Sequence, residues 1–220
     1  MTDRLPLFPL GTVLFPGLVL PLHVFEERYR ALVRDLLEEP EPRRFGVVGI
    51  ELGHEVGEGA ARRLAAVGCA AEVHTVSPHD DGRYDLVTVG GARFRLKDVD
   101  DARPYLTGQV EFLPEEAGEE PGPAALRVRW LFERYRERLA AAGAEIARPG
   151  RLPDDPVRLS YLVAAAVVLD RDEKQRLLEA EDATLRLRAE QDLLARENRL
   201  LAALPTVPAS QFIDGAVHPN

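Results

Sequence analysis

"LPLFPLGTVLFPGLVLPLHVFEERYRALV", Leu5 to Val33, is the stretch on which the fold turns. It is crowded with Leu, Val and Phe, yet Pro6, Pro9, Pro16 and Pro21 interrupt it. A signal peptide needs a charged start, one unbroken apolar run and a small-residue cleavage site. Here Asp3 precedes Arg4 and proline cuts the run repeatedly. No apolar run in the chain approaches the roughly 20 residues of a membrane span. The stretch therefore reads as strand, turn, strand, helix. Pro9 disfavours helix at Phe8, "FPG" is turn chemistry, and the proline in "LVLPL" suggests an edge strand. After His23 the period changes: Phe25, Tyr29, Leu32, Val33, Leu36 and Leu37 recur at helical spacing, with Glu26 and Glu27 where a helix dipole favours negative charge.

Working outward, residues 44–113 read as β. "RRFGVVGIEL" runs into a Gly-rich acidic loop, "GHEVGEGA", at 53–60. Residues 65, 67, 69, 71, 73 and 75 alternate, and Asp81-Gly82 supplies a hairpin turn. "RYDLVTVGGARFRLKDV" predicts two strands joined at Gly90-Gly91, with Phe94 and Leu96 on one face and a basic face of Arg93, Arg95 and Lys97 on the other. An acidic Pro/Gly hinge, 114–123, then gives way to helical grammar. Val128, Leu131, Phe132, Tyr135 and Leu139 share a stripe; Asp154 or Asp155 caps the next helix ahead of Pro156, Asp172 a short one, and Asp182 a long one ending near Leu204. The expected fold class is α+β: a compact β-barrel or sandwich over 1–116 with one early helix, helices over 117–206, and a tail over 207–220.

Composition excludes several functions. A chain of 220 residues, 45% hydrophobic, can bury a proper core. Its net charge of −9 gives no general attraction for nucleic acid or anionic membrane, and fits a cytoplasmic protein. One cysteine, Cys69, rules out an internal disulfide and multi-cysteine metal sites. Lys97 and Lys174, the only lysines, follow no glycine-rich loop, so the common nucleotide-hydrolysis motif is absent. Ser77, Ser160 and Ser210 lie in no nucleophile motif. Of the five histidines (His23, His54, His74, His79 and His218), His74 and His79 flank a turn with Asp80 and Asp81 but lack a recognised ligand spacing. The expectation is no catalytic residue, no cofactor and no metal.

The opening segment, then "FGVV", "VGC", "DGRYDLVTVGGARFR" and "PYLTGQVEFL", resembles the N-terminal, substrate-binding domain of the Lon family of ATP-dependent proteases, nearest to bacterial proteins made of that domain alone. "LPDDPVRLSYLVAAAVVLDRDEKQRLLEAEDATLRLRAEQDLL" is similar to the helical bundle that follows it, so the likeness covers about residues 4–204. The resemblance implies a PUA-like pseudobarrel followed by an α-helical bundle subdomain. It implies a part in substrate engagement, with an ATPase and a Ser-Lys protease module doing the chemistry elsewhere. Neither a Walker lysine nor a serine and lysine in the protease motif's setting is found, so the expectation is that both modules are missing here.

The functional expectation is a non-enzymatic module binding unfolded polypeptide or one protein partner. Candidate contacts are Phe15, Pro16, Phe25 and Tyr29, with Trp130, which falls off its helix's main stripe, as a second contact point. Core packing competes for Phe25 and Tyr29, which share the apolar stripe of the first helix. Two alternatives belong to other classes. An RNA-binding PUA-like module is disfavoured by the negative charge and the lack of a basic aromatic surface. A small-molecule binder or enzyme would use a cleft between barrel and helices and would show a buried, perturbed carboxylate or histidine there. The final helix could also pair with a second copy, though a stripe that packs within the chain explains it as well.

Overall fold

The computed structural model describes residues 3–53, 61–144 and 151–203; most of the acidic loop at 53–60, the start of the linker before Leu152 and the tail at 207–220 lie outside the described residues, with His54, Ser210 and His218. The elements are β1 (Asp3–Leu10), β2 (Val19–Val24), α1 (Glu27–Glu38), β3 (Arg44–Gly53), β4 (Ala61–Leu64), β5 (Val67–Pro78), β6 (Tyr84–Asp100), β7 (Thr107–Phe112), α2 (Pro121–Ala141), α3 (Pro156–Ala166), α4 (Arg171–Glu179) and α5 (Ala183–Ala203).

The proline-cut opening closes the barrel. β1 changes partner in mid-strand: Asp3–Pro6 pair antiparallel with β7, and Leu7–Leu10 pair parallel with β3. Antiparallel neighbours β7, β6, β5 and β3 complete the circuit, with β4 beside β3 and β2 beside β6. β2, with Pro21, is registered against β6 alone, where a proline without its N–H is tolerated. Between β1 and β2, Phe15-Pro16-Gly17-Leu18 forms a turn with Leu18 N–H donating to the Phe15 carbonyl at 3.2 Å, and Gly17 supplies the φ of 77° needed after proline. The helix α1 lays Tyr29, Leu32, Val33 and Leu36 on the barrel core, where the Tyr29 ring stacks on Phe8 at 4.0 Å.

Gly90-Gly91 is not a turn. β6 runs unbroken through it, and the registers Cys69↔Arg93 and Ala71↔Gly90 place one extra residue on β6, a bulge. The reason is close approach. A Cβ on Gly90 would lie 2.2 Å from the Phe15 carbonyl oxygen, and Gly90 exchanges hydrogen bonds with Gly17 and Leu18 at 2.7 and 2.9 Å. The Phe15–Leu18 turn is therefore clamped to β6, with Phe15 inward.

The helices pack Val128, Leu131, Phe132 and Tyr135 of α2 against Leu159, Val163, Leu187 and Leu194. Asp155 caps α3, accepting from Val157 and Arg158 N–H, and Asp182 accepts from Leu185 N–H. α4 is capped by Asp170, which accepts from Glu173 N–H at 2.7 Å; Asp172 lies two residues further on, inside the first turn of the helix.

Arg93 is the larger correction. Alternation does put Phe94 in the core and Arg93 on the other face, but α3–α5 cover that face and Arg93 is 1% exposed. Its Nε donates to Glu115 at 2.7 Å, and its Nη1 donates to the Leu178 and Ala180 carbonyls at 2.8 and 2.6 Å, the C-terminal end of α4. Tyr161 donates to the other Glu115 oxygen at 2.6 Å, and Arg186 donates to Tyr161, Ser160 and the Leu177 carbonyl, each at 2.9 Å. The Arg186 guanidinium lies 3.9 Å from the Tyr161 ring centroid, a cation–π stack. Phe15, Val67, Tyr161, Ala164, Leu177 and Leu178 form the apolar half of this seam.

Nearby, Glu190 of α5 is buried with neither carboxyl oxygen hydrogen-bonded. Burial raises its pKa well above 4.5, against the opposing pull of Arg186.

Removing Arg93 strands Glu115 and the last carbonyls of α4. The Arg93→Met variant is expected to lose roughly 3–5 kcal/mol of unfolding free energy in urea; a loss under about 1 kcal/mol would mean that apolar packing alone holds the seam. Glu190 works in the opposite sense. Its folded pKa is raised, so the stability it allows is full below about pH 4.5 and declines as pH rises and only the folded state keeps the proton. Glu190→Gln should therefore raise the melting temperature relative to wild type at pH 8, with the gain fading towards pH 4. A pH-independent difference would contradict this.

Candidate polypeptide-binding groove

The partner change in β1, the end of edge strand β2 and the first turn of α1 leave a groove of about 200 Å³ between them. Its walls come from Phe8, Pro9, Leu10, Leu22, Val24 and Tyr29. α1 begins at Glu27, so Phe25 stands just before the helix, outside its apolar stripe, and on the groove rim the residue is 52% exposed. Tyr29 lines the same groove, but its ring is 5% exposed because it is stacked on Phe8.

The other candidates lie elsewhere. Phe15 does not face solvent: clamped by Gly90, its ring is 1% exposed in the seam, 6.2 Å from Tyr161. Pro16 is half-buried in the same turn. Trp130 stands on the outer face of α2, 47% exposed, between Arg127 and Arg134 with guanidinium-to-ring distances of 4.7 and 5.4 Å. Leu126, one turn earlier, is 70% exposed and extends that patch.

A polar cluster borders the groove. The β2–β6 register sets His23 directly opposite Asp85, and the hairpin brings His79 to the same carboxylate. His23 Nδ1 lies 2.6 Å from Asp85 Oδ1, and His79 Nε2 lies 2.7 Å from Oδ2. These hydrogen bonds, His23 first, hold the Asp85 carboxyl below the usual range. Sequence reading placed His79 with His74, Asp80 and Asp81; strand register was the signal that would have found His23 and Asp85. The His23 ring also lies 6.2 Å from Phe25, joining cluster to rim.

A separate cleft of about 270 Å³ opens where β3 and β4 meet α4, lined by Glu51, Arg63, Arg171, Gln175 and Glu179 among others. The buried, perturbed carboxylate, Glu190, is not in it but among the apolar side chains of the helices. Burial pushes the Cys69 thiol up, which makes it a poor nucleophile at neutral pH. Ser160 is buried and engaged by Arg186. Lys97 of the expected basic face pairs with Glu111 at 2.5 Å, and with Arg93 buried that face is broken up. Among the described residues no helix is long and apolar enough to cross a membrane.

The family described as the ATP-dependent protease La (LON) substrate-binding domain matches residues 4–196. Among curated relatives, the Lon protease of Anaeromyxobacter dehalogenans is 32% identical over 97% of this chain and 25% of its own length. Lon protease 2 of Myxococcus xanthus is 32% identical over the same shares, 97% and 25%. The chain thus spans about a quarter of the length of these curated relatives. Among solved structures, a Lon N-terminal domain protein from Xanthomonas campestris superposes with a TM-score of 0.59 at 26% identity, over 92% of this chain and 99% of that one. The N-terminal domain of Mycobacterium avium complex Lon protease gives a TM-score of 0.65 at 21% identity, over 88% and 98%, and shares the fold.

Trp130 is the only tryptophan, so its surroundings can be read by fluorescence. Flanking arginines concentrate anions at the ring, and iodide should quench it more efficiently than caesium, the two converging above about 0.5 M salt as the charges are screened. Equal quenching at low salt would place the arginines away from the indole.

Proposed function

Because this chain belongs to the family of the ATP-dependent protease La (LON) substrate-binding domain, we propose that it is a non-enzymatic recognition module that holds exposed apolar segments of unfolded or partner polypeptides. The observation that carries this reading is Phe25, an aromatic ring the core does not claim, standing over an apolar groove. The groove is smaller than the roughly 300–1,000 Å³ of common small-molecule sites. Its size suits one or two side chains of a peptide, the scale of an interface anchor. The Leu126–Trp130 patch on α2 gives a long client a second, weaker foothold. Two modest contacts joined by one flexible chain bind through effective concentration rather than through either site alone.

Nucleic acid fits poorly: the chain carries −9, and its expected basic strand face is interrupted by a buried arginine. Small-molecule chemistry in the α4 cleft has less support, since the perturbed carboxylate lies elsewhere. The relatives are proteases, and the reading gives this chain the recognition step of such a process in the cytoplasm, not the chemistry.

The test is fluorescence anisotropy of fluorescein-labelled, reduced and carboxymethylated lactalbumin, a permanently unfolded protein. Saturable binding is expected, weakened at least tenfold by Phe25→Asp, or about 1.4 kcal/mol. Trp130→Ala should weaken it less, and neither substitution should lower the melting temperature. Absence of binding, or full binding by the Phe25→Asp variant, would overturn the proposal.

A further inference from the structure

We propose that His23, His79 and Asp85 form a binding site for a divalent transition-metal ion of the zinc or nickel type. The three side chains arrive from two adjacent strands and the turn beside them: His23 near the end of β2, Asp85 at the start of β6, and His79 in the β5–β6 hairpin, one residue past β5. Sheet register and hairpin hold them, and the hairpin is itself pinned by Gly82 at φ 80° and by Arg30 Nε donating to the Gly82 carbonyl at 2.7 Å. One donor atom from each residue lies within 4.8 Å of the other two. Zinc bonds of about 2.0–2.2 Å require donors about 3.3 Å apart, so closing the set asks for shifts of about an ångström in half-exposed side chains.

At present protons occupy the space an ion would take. Each imidazole donates through the ring nitrogen that faces Asp85, at 2.6 and 2.7 Å. An ion between the three would replace both hydrogen bonds, and each ring would carry its proton on the other nitrogen. For His23 that nitrogen is Nε2, which now lies 3.4 Å from Arg83 Nη1. Arg83 has a second partner, with Nε donating to Asp81 at 2.7 Å, and can remain there when it releases His23. Two imidazoles and a single carboxylate select zinc, nickel, cobalt or copper over calcium or magnesium, which prefer all-oxygen sets. Three protein ligands on an accessible surface leave a coordination position for water. Nothing in this proposal depends on the polypeptide-binding reading.

The experiment is calorimetric titration of the chelator-treated full chain with zinc alone, paired with cobalt absorption spectra and thermal melts. One equivalent should bind, raise the melting temperature and give the visible bands of a low-coordinate cobalt site. His23→Gln, His79→Gln and Asp85→Asn should each weaken zinc at least tenfold and abolish the cobalt bands, while His74→Gln, on the neighbouring stretch of β5, should change neither. Calcium and magnesium should give no saturable heat. The proposal is overturned if zinc fails to bind, or if binding survives both histidine substitutions in variants whose melting without metal matches wild type.

Discussion

A buried arginine between two structural layers is expensive, and the rest of the molecule is arranged so that Arg93 has no unmet demand there. It brings its charge from β6 to the C-terminal end of α4, where helix carbonyls lack partners and the dipole is negative. Glu115, on the connection leaving β7, supplies the counter-charge and passes its second oxygen to Tyr161 of α3. Tyr161 in turn receives Arg186 of α5. One network thus touches a strand, the connection and three helices. Substituting any member leaves a buried polar group of another element unpaired, so the helices have little freedom to slide over the barrel.

The same seam explains why Phe15 and Phe25, ten residues apart in the proline-cut opening stretch, have opposite fates. Gly90 lets the Phe15–Leu18 turn approach β6 at hydrogen-bonding distance, and this turns Phe15 towards Tyr161. Phe25 follows an edge strand and precedes a helix whose buried stripe begins at Tyr29, so no element is left to cover it. The groove is therefore a consequence of how β1, β2 and α1 meet. Its inner side is the barrel core, where Phe8 stacks on Tyr29.

Local chemistry was legible from residues alone. The passage from strands to helices, the edge position of the Pro21 strand, the Asp81-Gly82 hairpin and the Asp182 cap each depend on a few neighbouring residues and were anticipated, and the α3 cap was narrowed to Asp154 or Asp155. The misreadings share the opposite property. Gly90-Gly91 has the composition of a turn, and only the distant Phe15 carbonyl reveals a bulge that needs a missing side chain. Alternation placed Arg93 on the correct face of its strand but could not say that helices more than 60 residues later would cover it. Phe25 sat at helical spacing, yet a start at Glu27 moved it out of the stripe, and Tyr29 went to the core. His23 and Asp85 are 62 residues apart and meet only through strand register. What the sequence left unread was, in each case, a contact between distant segments.

The central claim is that a body locked at its seam presents one groove, at the junction of β1, β2 and α1, to apolar polypeptide. Hydrogen exchange read by mass spectrometry, with and without excess carboxymethylated lactalbumin, tests it most directly. The account predicts new protection in peptides covering Phe8–Leu10 and Leu22–Tyr29, with Tyr161 and Leu177–Arg186 exchanging slowly and unchanged in both states. Protection confined to the α4 cleft or to α2, with the groove exchanging as freely as before, would contradict it.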